Sequence, residues 1–160
     1  MTIEEFTALL QPIFNSIQGK PLDHRTQSEL NAAFGSGSAE FASISCACHA
    51  AIAAGWMCNR EGGGIKFGRV LKPSPFTKGF SVDVVAMNDV VGPFHSHPNG
   101  EVDLIIPIDR TAEFDGHGAG WLIYGPGSAH RPTVTGGTAL VLYLLPNGAI
   151  DFKAPEVRST

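Results

Sequence analysis

The sequence is short of charged residues, of cysteine and of long apolar runs, and each shortage excludes a class of protein. Charged residues make up 16% of the 160 positions, and the formal net charge of −4 leaves no basic excess to neutralise nucleic-acid phosphates or an anionic membrane. No stretch approaches the roughly 20 apolar residues of a membrane span, and the acidic start MTIEEFTALL lacks the features of a signal peptide. We therefore expect a cytoplasmic protein that binds a small molecule, and neither nucleic acid nor a membrane.

The cysteines Cys46, Cys48 and Cys58 are odd in number and lie in a stretch rich in alanine. They fit reduced, buried residues of a cytosolic protein better than a disulfide framework. If the stretch is helical, Cys46 and Cys48 point about 200° apart and cannot hold one metal ion together. No glycine-rich phosphate-binding motif follows a predicted strand, so we expect no nucleotide cofactor.

Residues 1–60 are predicted to form a helical extension that packs on the rest of the protein or on a dimer partner. Thr2 and Glu5 form a capping box, and apolar residues then recur at helical spacing. Pro12 is expected to kink or break this first helix. Two further helices are predicted, over about 27–34 and 38–57.

Residues 61–160 are predicted to form a β domain, because glycine and proline concentrate after position 60 and separate short apolar runs. The predicted strands span about 65–71, 80–87, 91–97, 101–108, 111–115, 119–124, 130–135, 138–145 and 149–153. Short strands at such close spacing favour a sandwich or a barrel. The expected fold class is therefore mainly β with an N-terminal α-helical region.

A cluster of potential metal ligands stands out in this β domain. In GPFHSHPNGE, strand alternation puts His95 and His97 on one face, and the Pro-Asn-Gly turn brings Glu101 back beside them. His130 follows a second turn, GPGSA, as the fourth candidate. Three imidazoles and one carboxylate suit Fe(II), Mn(II), Ni(II) or Zn(II), and an octahedral ion would keep two positions open for water or substrate. We therefore predict a divalent metal ion at an open, reactive site.

These residues resemble the two motifs of the cupin superfamily, G-x5-H-x-H-x3,4-E-x6-G and G-x5-P-x-G-x2-H-x3-N. The resemblance covers about Gly92 to Val134 and implies a cupin (double-stranded β-helix, or jelly-roll) barrel with the same four residues as metal ligands. The sequence departs from the motifs where Gly92 lies too close to His95, where Ile108 replaces the closing glycine and where Val134 replaces asparagine. These departures concern turns and leave the ligands intact.

A narrower resemblance spans nearly the whole chain. The runs FHSHPNGEVDLIIP, GWLIYGPGSAHRPTV and ALVLYLLPNGAIDF, preceded by a helical region, are similar to the 4-hydroxylaminobenzoate lyase family. This resemblance implies conversion of 4-hydroxylaminobenzoate, a small aromatic carboxylate, into protocatechuate and ammonia during nitroaromatic degradation.

Two carboxylates, those of Glu101 and Asp103, are predicted to be catalytic. Asp103 shares the inward strand face with Glu101, so Asp103 would act as a general acid or base, or would orient a metal ligand. The alternative is that Asp103 is an ordinary solvated or capping residue.

An anionic benzoate also needs a cationic partner, and arginine is preferred for bidentate contact. The candidates in the β domain are Lys66, Arg69, Arg110 and Arg131. Arg69 is our first choice, Lys66 would point to the opposite face of the same strand, and alternation would turn Arg131 outward. Phe94, Trp121, Tyr124 and Tyr143 are candidates to line an aromatic pocket, although ordinary surface or core roles stay open for all of these cationic and aromatic residues. The remaining histidines are not expected to be ligands: His24, His49 and His117.

Two other functions stay open. An Fe(II)-dependent cupin dioxygenase would use the same ligands, and a non-catalytic cupin that binds a small ligand would use the fold only as a scaffold. We also expect a homodimer, because sheet edges need covering and the helical region has apolar surface to bury.

Overall fold

Three α-helices open the chain in the computed structural model, which describes residues 1–153. They are α1 (Ile3–Ile17), α2 (His24–Phe34) and α3 (Ala39–Ala54). The predicted capping box is present, because the Thr2 hydroxyl accepts a hydrogen bond from the Glu5 N–H and the Glu5 carboxylate accepts one from the Thr2 N–H. All three predicted helices are confirmed.

Of the two effects predicted for Pro12, a kink or a break in the first helix, the break is wrong. Helix α1 continues through Pro12 for its full 15 residues. A proline inside a helix costs roughly 3 kcal/mol, whereas each large apolar side chain that is fully buried contributes about 1.5–3 kcal/mol. Five such side chains lie on both sides of Pro12 and outweigh its cost: Phe6, Leu10, Ile13, Phe14 and Ile17.

Nine strands follow within the described residues. They are β1 (Arg60–Gly62), β2 (Ile65–Leu71), β3 (Phe80–Val91), β4 (His95–His97), β5 (Glu101–Pro107), β6 (Glu113–Phe114), β7 (Gly120–Tyr124), β8 (Ser128–His130) and β9 (Thr133–Pro146). Seven form an antiparallel sheet in the order β1-β2-β3-β9-β5-β7, with β6 also paired to β9, and β4 pairs with β8. The described strands thus form two sheets and not one closed hydrogen-bonded ring.

The longest strand, β9, joins two strands that were predicted as separate, 130–135 and 138–145. It runs through Gly136 and Gly137, which both have positive φ. The pairing with β3 shifts register in the same region, so a bulge accommodates the two glycines without ending the strand. The break predicted at this glycine pair is therefore wrong.

Other strand boundaries also differ from the predicted ones. The predicted strand 111–115 shrinks to β6, and the predicted strand 149–153 is reduced to an isolated bridge between Asp151 and Ser96. The stretch 59–64, interpreted as a break, contains β1 and the turn into β2. Short strands of this kind have too few residues for alternation to reveal them.

The main sheet is buried on both faces by alternate residues of the same strands. On β5, Val102 and Leu104 belong to an apolar cluster that includes the helices, whereas Ile105 belongs to a second cluster on the other face. Alternation places Glu101 and Asp103 on that second face. The helices therefore cover one side of the sheet, and the polar residues lie on the other.

Helix α2 also covers one edge of the sheet, at β7. The Asn31 amide donates a hydrogen bond to the Trp121 carbonyl and accepts one from the Trp121 N–H. Gln27 accepts a further bond from the Ile123 N–H. These side chains satisfy backbone groups that an edge strand otherwise leaves open to another chain.

The described elements confirm the predicted fold class, which is mainly β with an N-terminal helical region, and the two antiparallel sheets are consistent with a jelly-roll body. The division into 1–60 and 61–160 stays a prediction, and residues 154–160 of the second unit lie outside the described residues. None of the helices described is long and apolar enough to cross a membrane.

Candidate metal centre

The β4–β8 pair brings the predicted histidines together. His95 lies directly opposite His130, and His97 lies opposite Ser128. The chain then turns at Gly100, whose φ is +88° and where an added Cβ would lie 2.9 Å from the Tyr124 carbonyl oxygen. Only glycine fits this turn without strain, and the turn places Glu101 beside the histidines.

The four predicted ligands form one compact cluster in the structure. One side-chain donor atom from each of His95, His97, Glu101 and His130 lies within 4.8 Å of the other three. The two Nε2 atoms of His95 and His130 are 3.1 Å apart, and His97 Nε2 lies 2.9 Å from the Glu101 carboxylate. Such distances are short enough for one ion to contact all four groups.

The burial of these atoms supports the same interpretation. His97 Nε2 and both carboxylate oxygens of Glu101 are buried, and within residues 1–153 they have no hydrogen-bond partner apart from their own 2.9 Å contact. Leaving a buried polar group unsatisfied costs about 1–3 kcal/mol, and more for a charged group. A divalent cation at the centre of the cluster would remove this cost, so the residues present fit a metal ion.

Each of the three histidines has its outer ring nitrogen near an acceptor, which leaves Nε2 directed at the cluster. His95 Nδ1 is 3.3 Å from the Pro93 carbonyl, and His97 Nδ1 is 2.9 Å from the Ser128 hydroxyl. His130 Nδ1 is 2.6 Å from a carboxylate oxygen of Asp115. Partners of this kind orient metal-binding histidines in proteins.

Asp103 lies beside Glu101 on β5, as strand alternation predicted. It sits between Leu122 and Tyr143 of the neighbouring strands, it is fully buried, and neither carboxylate oxygen has a hydrogen-bond partner among the described residues. Burial, together with the adjacent Glu101 carboxylate, raises the pKa of Asp103 well above its usual range. The structure thus places a second carboxyl group next to a candidate ligand.

A cavity of about 740 Å³ extends from His95 between the strands. Its apolar walls include aromatic rings from Phe67, Tyr143 and Phe152. The Phe152 ring lies 5.6 Å from the His95 ring and is 60% exposed. Of the four candidate ligands, His95 is the one that lines this cavity.

Three cationic side chains line the cavity together with one acidic side chain. The cations are Arg60, Arg69 and Lys72, and the acid is Asp83. Arg69 binds Asp83 in a bidentate pair with distances of 2.9 and 3.1 Å, and it also donates to the Gly148 carbonyl. The pair with Asp83 raises the pKa of Arg69, so Arg69 remains a cation. The net charge of these side chains suits an anion.

Three other predicted substrate contacts, Lys66, Phe94 and Tyr124, lie outside the lining of this cavity. Lys66 is exposed on the opposite face of β2, and Phe94 packs under Arg131, whose guanidinium carbon lies 5.9 Å from the ring centre. Tyr124 stacks on His97 with a centroid distance of 5.5 Å, and its hydroxyl donates to Asp115. None of these three lines the cavity, whereas Tyr143, another predicted pocket aromatic, does.

Sequence reasoning missed Asp115, which contacts three other residues at the site. Besides the bond to His130, the carboxylate accepts hydrogen bonds from the Tyr124 hydroxyl and the Thr133 N–H. Burial acts to raise its pKa, but the bonds from His130 and Tyr124 outweigh burial and hold the pKa below its usual value. In the sequence Asp115 is only part of the turn DGHG, which carries no sign of these contacts.

Comparison with known proteins identifies clear relatives. The sequence model of the family described as "PnbB: 4-hydroxylaminobenzoate lyase" matches residues 8–152. A 4-hydroxylaminobenzoate lyase from Pseudomonas putida is 31% identical over an alignment of 170 positions, which covers 94% of this chain and 97% of that protein. A second one, from Nocardioides sp. (strain LMS-CY), is 30% identical over 150 residues, covering 88% and 89%.

Solved structures are more distant. The DMSP lyase DddQ from Ruegeria pomeroyi DSS-3 matches with a TM-score of 0.46 and 19% identity, over 98% of both chains. An RmlC-like cupin protein from Ralstonia eutropha JMP134 matches 52% of this chain and 57% of its own, with a TM-score of 0.40 and 11% identity.

Proposed function

Because the chain belongs to the 4-hydroxylaminobenzoate lyase family, we propose that it is a metal-dependent lyase that converts 4-hydroxylaminobenzoate into protocatechuate and ammonia. The observation that carries the metal dependence is the buried cluster of His95, His97, Glu101 and His130, whose donor atoms converge within 4.8 Å. The cluster meets a cavity lined with aromatic residues at His95, and this arrangement suits a reaction on a small aromatic acid.

The proposed reaction is balanced without an electron carrier. One water molecule enters, the N–O bond, the C4–N bond and one ortho C–H bond break, two C–O bonds form to give the ring hydroxyl groups, and the nitrogen leaves as ammonia with the released protons. A divalent ion such as Fe, Mn, Ni or Zn, held by the four residues, would supply Lewis-acid chemistry. The protein itself has to bind the benzoate, exclude competing water and move protons near the ring.

Arg69 is the proposed anchor for the substrate carboxylate. It lines the cavity, and its Nε and one terminal nitrogen are occupied by Asp83 and Gly148. The other terminal nitrogen, Nη1, makes no hydrogen bond to any residue that the structure describes, so it can donate to a carboxylate. The pair with Asp83 holds the guanidinium in place, which reduces the entropy lost when the substrate binds.

Asp103 is the proposed proton-transfer group. Its carboxyl is buried, has no hydrogen-bond partner among the described residues and adjoins Glu101. In this position it can hold a proton beside the metal ligands or orient Glu101.

An anaerobic assay tests the proposed reaction directly. Purified protein is incubated with 4-hydroxylaminobenzoate without oxygen, and both ammonia and protocatechuate are measured. We expect the two products in equal amounts, whereas no product without oxygen would reject the lyase in favour of an oxygen-dependent enzyme or a binding protein.

The metal requirement is tested separately by elemental analysis of the wild type and of a His97→Ala variant. The variant should lose both bound metal and turnover, because His97 Nε2 points into the cluster. His117→Ala is the matched control, since His117 is exposed in a turn away from the cluster. Equal metal in wild type and His97→Ala would show that the ligand assignment is wrong.

We further propose that the enzyme is a cytoplasmic homodimer. Free Cys46, Cys48 and Cys58 suit a reducing compartment, and the exposed edge strand β1 offers a surface for a second copy. Light scattering should give twice the chain mass of 16.9 kDa, and a monomer would contradict the dimer.

A further inference from the structure

The three candidate histidine ligands differ in what holds their outer nitrogens. His95 Nδ1 faces a backbone carbonyl at 3.3 Å, which is a long contact. His97 Nδ1 faces the Ser128 hydroxyl, which itself donates to the Gly125 carbonyl and so presents its oxygen to the ring. His130 alone of the three is held by a carboxylate, that of Asp115, at 2.6 Å. Hydrogen bonds to an ionised acceptor are about twice as strong as neutral ones.

Asp115 is itself held firmly by its surroundings. One carboxylate oxygen accepts from His130 and from the Tyr124 hydroxyl, and the other accepts from the Thr133 N–H. Its backbone has a φ of +50°, a conformation that aspartate and asparagine tolerate better than most residues. The side chain therefore has one orientation, with an oxygen directed at His130 Nδ1.

We propose that Asp115 is a positioning residue for the metal centre, which keeps the His130 proton on Nδ1 and leaves the Nε2 lone pair directed at the ion. An aspartate that accepts from Nδ1–H fixes both the tautomer and the ring plane, and it increases the electron density that the other nitrogen donates. Tyr124 acts through the same carboxylate, since its hydroxyl occupies the second lone pair of that oxygen. The inference rests on metal binding by the proposed function and not on the identity of the substrate.

The first test uses the wild-type protein and needs no substitution. Long-range ¹H–¹⁵N NMR spectra of the metal-free protein distinguish the two neutral tautomers of each histidine. We expect His130 to carry its proton on Nδ1, with a proton resonance shifted downfield by the carboxylate. A proton on Nε2 would overturn the proposal.

The second test compares Asp115→Asn with Asp89→Asn. Asp89 is a matched control because it also has positive φ and also accepts backbone N–H bonds, from Gly136 and Gly137, but contacts no candidate ligand through its hydrogen bonds. Zinc affinity, measured by competition with a chelator, should fall by roughly 10- to 100-fold in Asp115→Asn and stay unchanged in Asp89→Asn. The His130 Nδ1–H resonance should move in the first variant alone.

Two outcomes separate this inference from the proposed function. A zinc affinity of Asp115→Asn within twofold of that of Asp89→Asn would overturn the role of Asp115. That result would have no bearing on the lyase assay of the wild type. If the wild type is inactive but binds zinc, and Asp115→Asn binds zinc more weakly than the wild type does, the lyase is rejected and the positioning role is supported. A wild type that binds no zinc would overturn both the metal dependence and the inference that rests on it.

Discussion

The two faces of β5 are both buried, but they contribute differently to the protein. Val102, Leu104 and Ile106 face the helices and pack in an apolar cluster. Glu101 and Asp103 face the other way, with carboxylate oxygens that are buried and unpartnered among the described residues. One strand therefore carries a face that stabilises the fold and a face that holds costly polar groups.

The difference between the two faces of β5 shows that its polar groups lower the stability of the fold, whereas its apolar groups raise it. Apolar burial gains about 25 cal/mol per Å², whereas an unsatisfied buried polar group costs about 1–3 kcal/mol. Substitutions on the two faces should therefore separate folding from function, and the variants below test that separation.

Glu101→Gln should have the largest effect on function. The amide keeps the shape of the side chain but removes the charge that a divalent cation needs. Zinc affinity should therefore fall by more than the roughly 100-fold expected when a residue that only orients a ligand is substituted, and turnover should be lost. The unfolding free energy of the metal-free protein should not decrease, because a buried charge is removed. Glu113→Gln, on the exposed position of β6, is the control; a Glu101 variant that binds zinc normally would contradict the site.

Leu104→Ala should produce the opposite pattern. Leu104 is fully buried on the helix side, and its truncation should lower the unfolding free energy by about 2–5 kcal/mol. Denaturant unfolding gives this value, and zinc affinity of the folded fraction should stay within twofold of the wild type. A large loss of zinc affinity with little loss of stability would show that the two faces are not separate.

Asp103→Asn tests whether the second carboxylate serves chemistry or only folding. We expect turnover to fall by about 100-fold with bound metal retained, because proton transfer typically contributes 100-fold or more. Stability should be equal or higher, since a buried carboxyl without a partner is replaced by a neutral group. Unchanged turnover would exclude Asp103 from the reaction.

Arg69→Ala should give the smallest of these effects and should act on binding. Loss of a charge-assisted contact should raise KM about 10-fold or more with kcat changed little. Lys66→Ala is the matched control, because Lys66 projects from the same strand to the face away from the cavity. The double variant Arg69→Ala/Asp83→Asn removes the repulsion from an unpaired Asp83; a normal KM in that variant would reject Arg69 as the anchor.

The sequence predicted most where the signal was local. The capping box at Thr2, the three helices and the convergence of His95, His97 and Glu101 all depend on local spacings, and all agree with the structure. The failures have a common cause. At Pro12 and at the Gly136–Gly137 pair, local preference predicts a break, but burial of the first helix and a bulge within β9 outweigh that preference.

Three of the four candidate ligands could be predicted from the sequence alone, because alternation on β4 and one turn bring His95, His97 and Glu101 to the same point whatever the rest of the fold does. The contacts around those ligands were decided only by tertiary structure. Asp115 reaches His130, and Asp83 reaches Arg69, across strands and loops whose pairing no local spacing encodes. The same strand pairing sets the cavity, so the sequence identifies the candidate metal ligands while the fold determines what surrounds them.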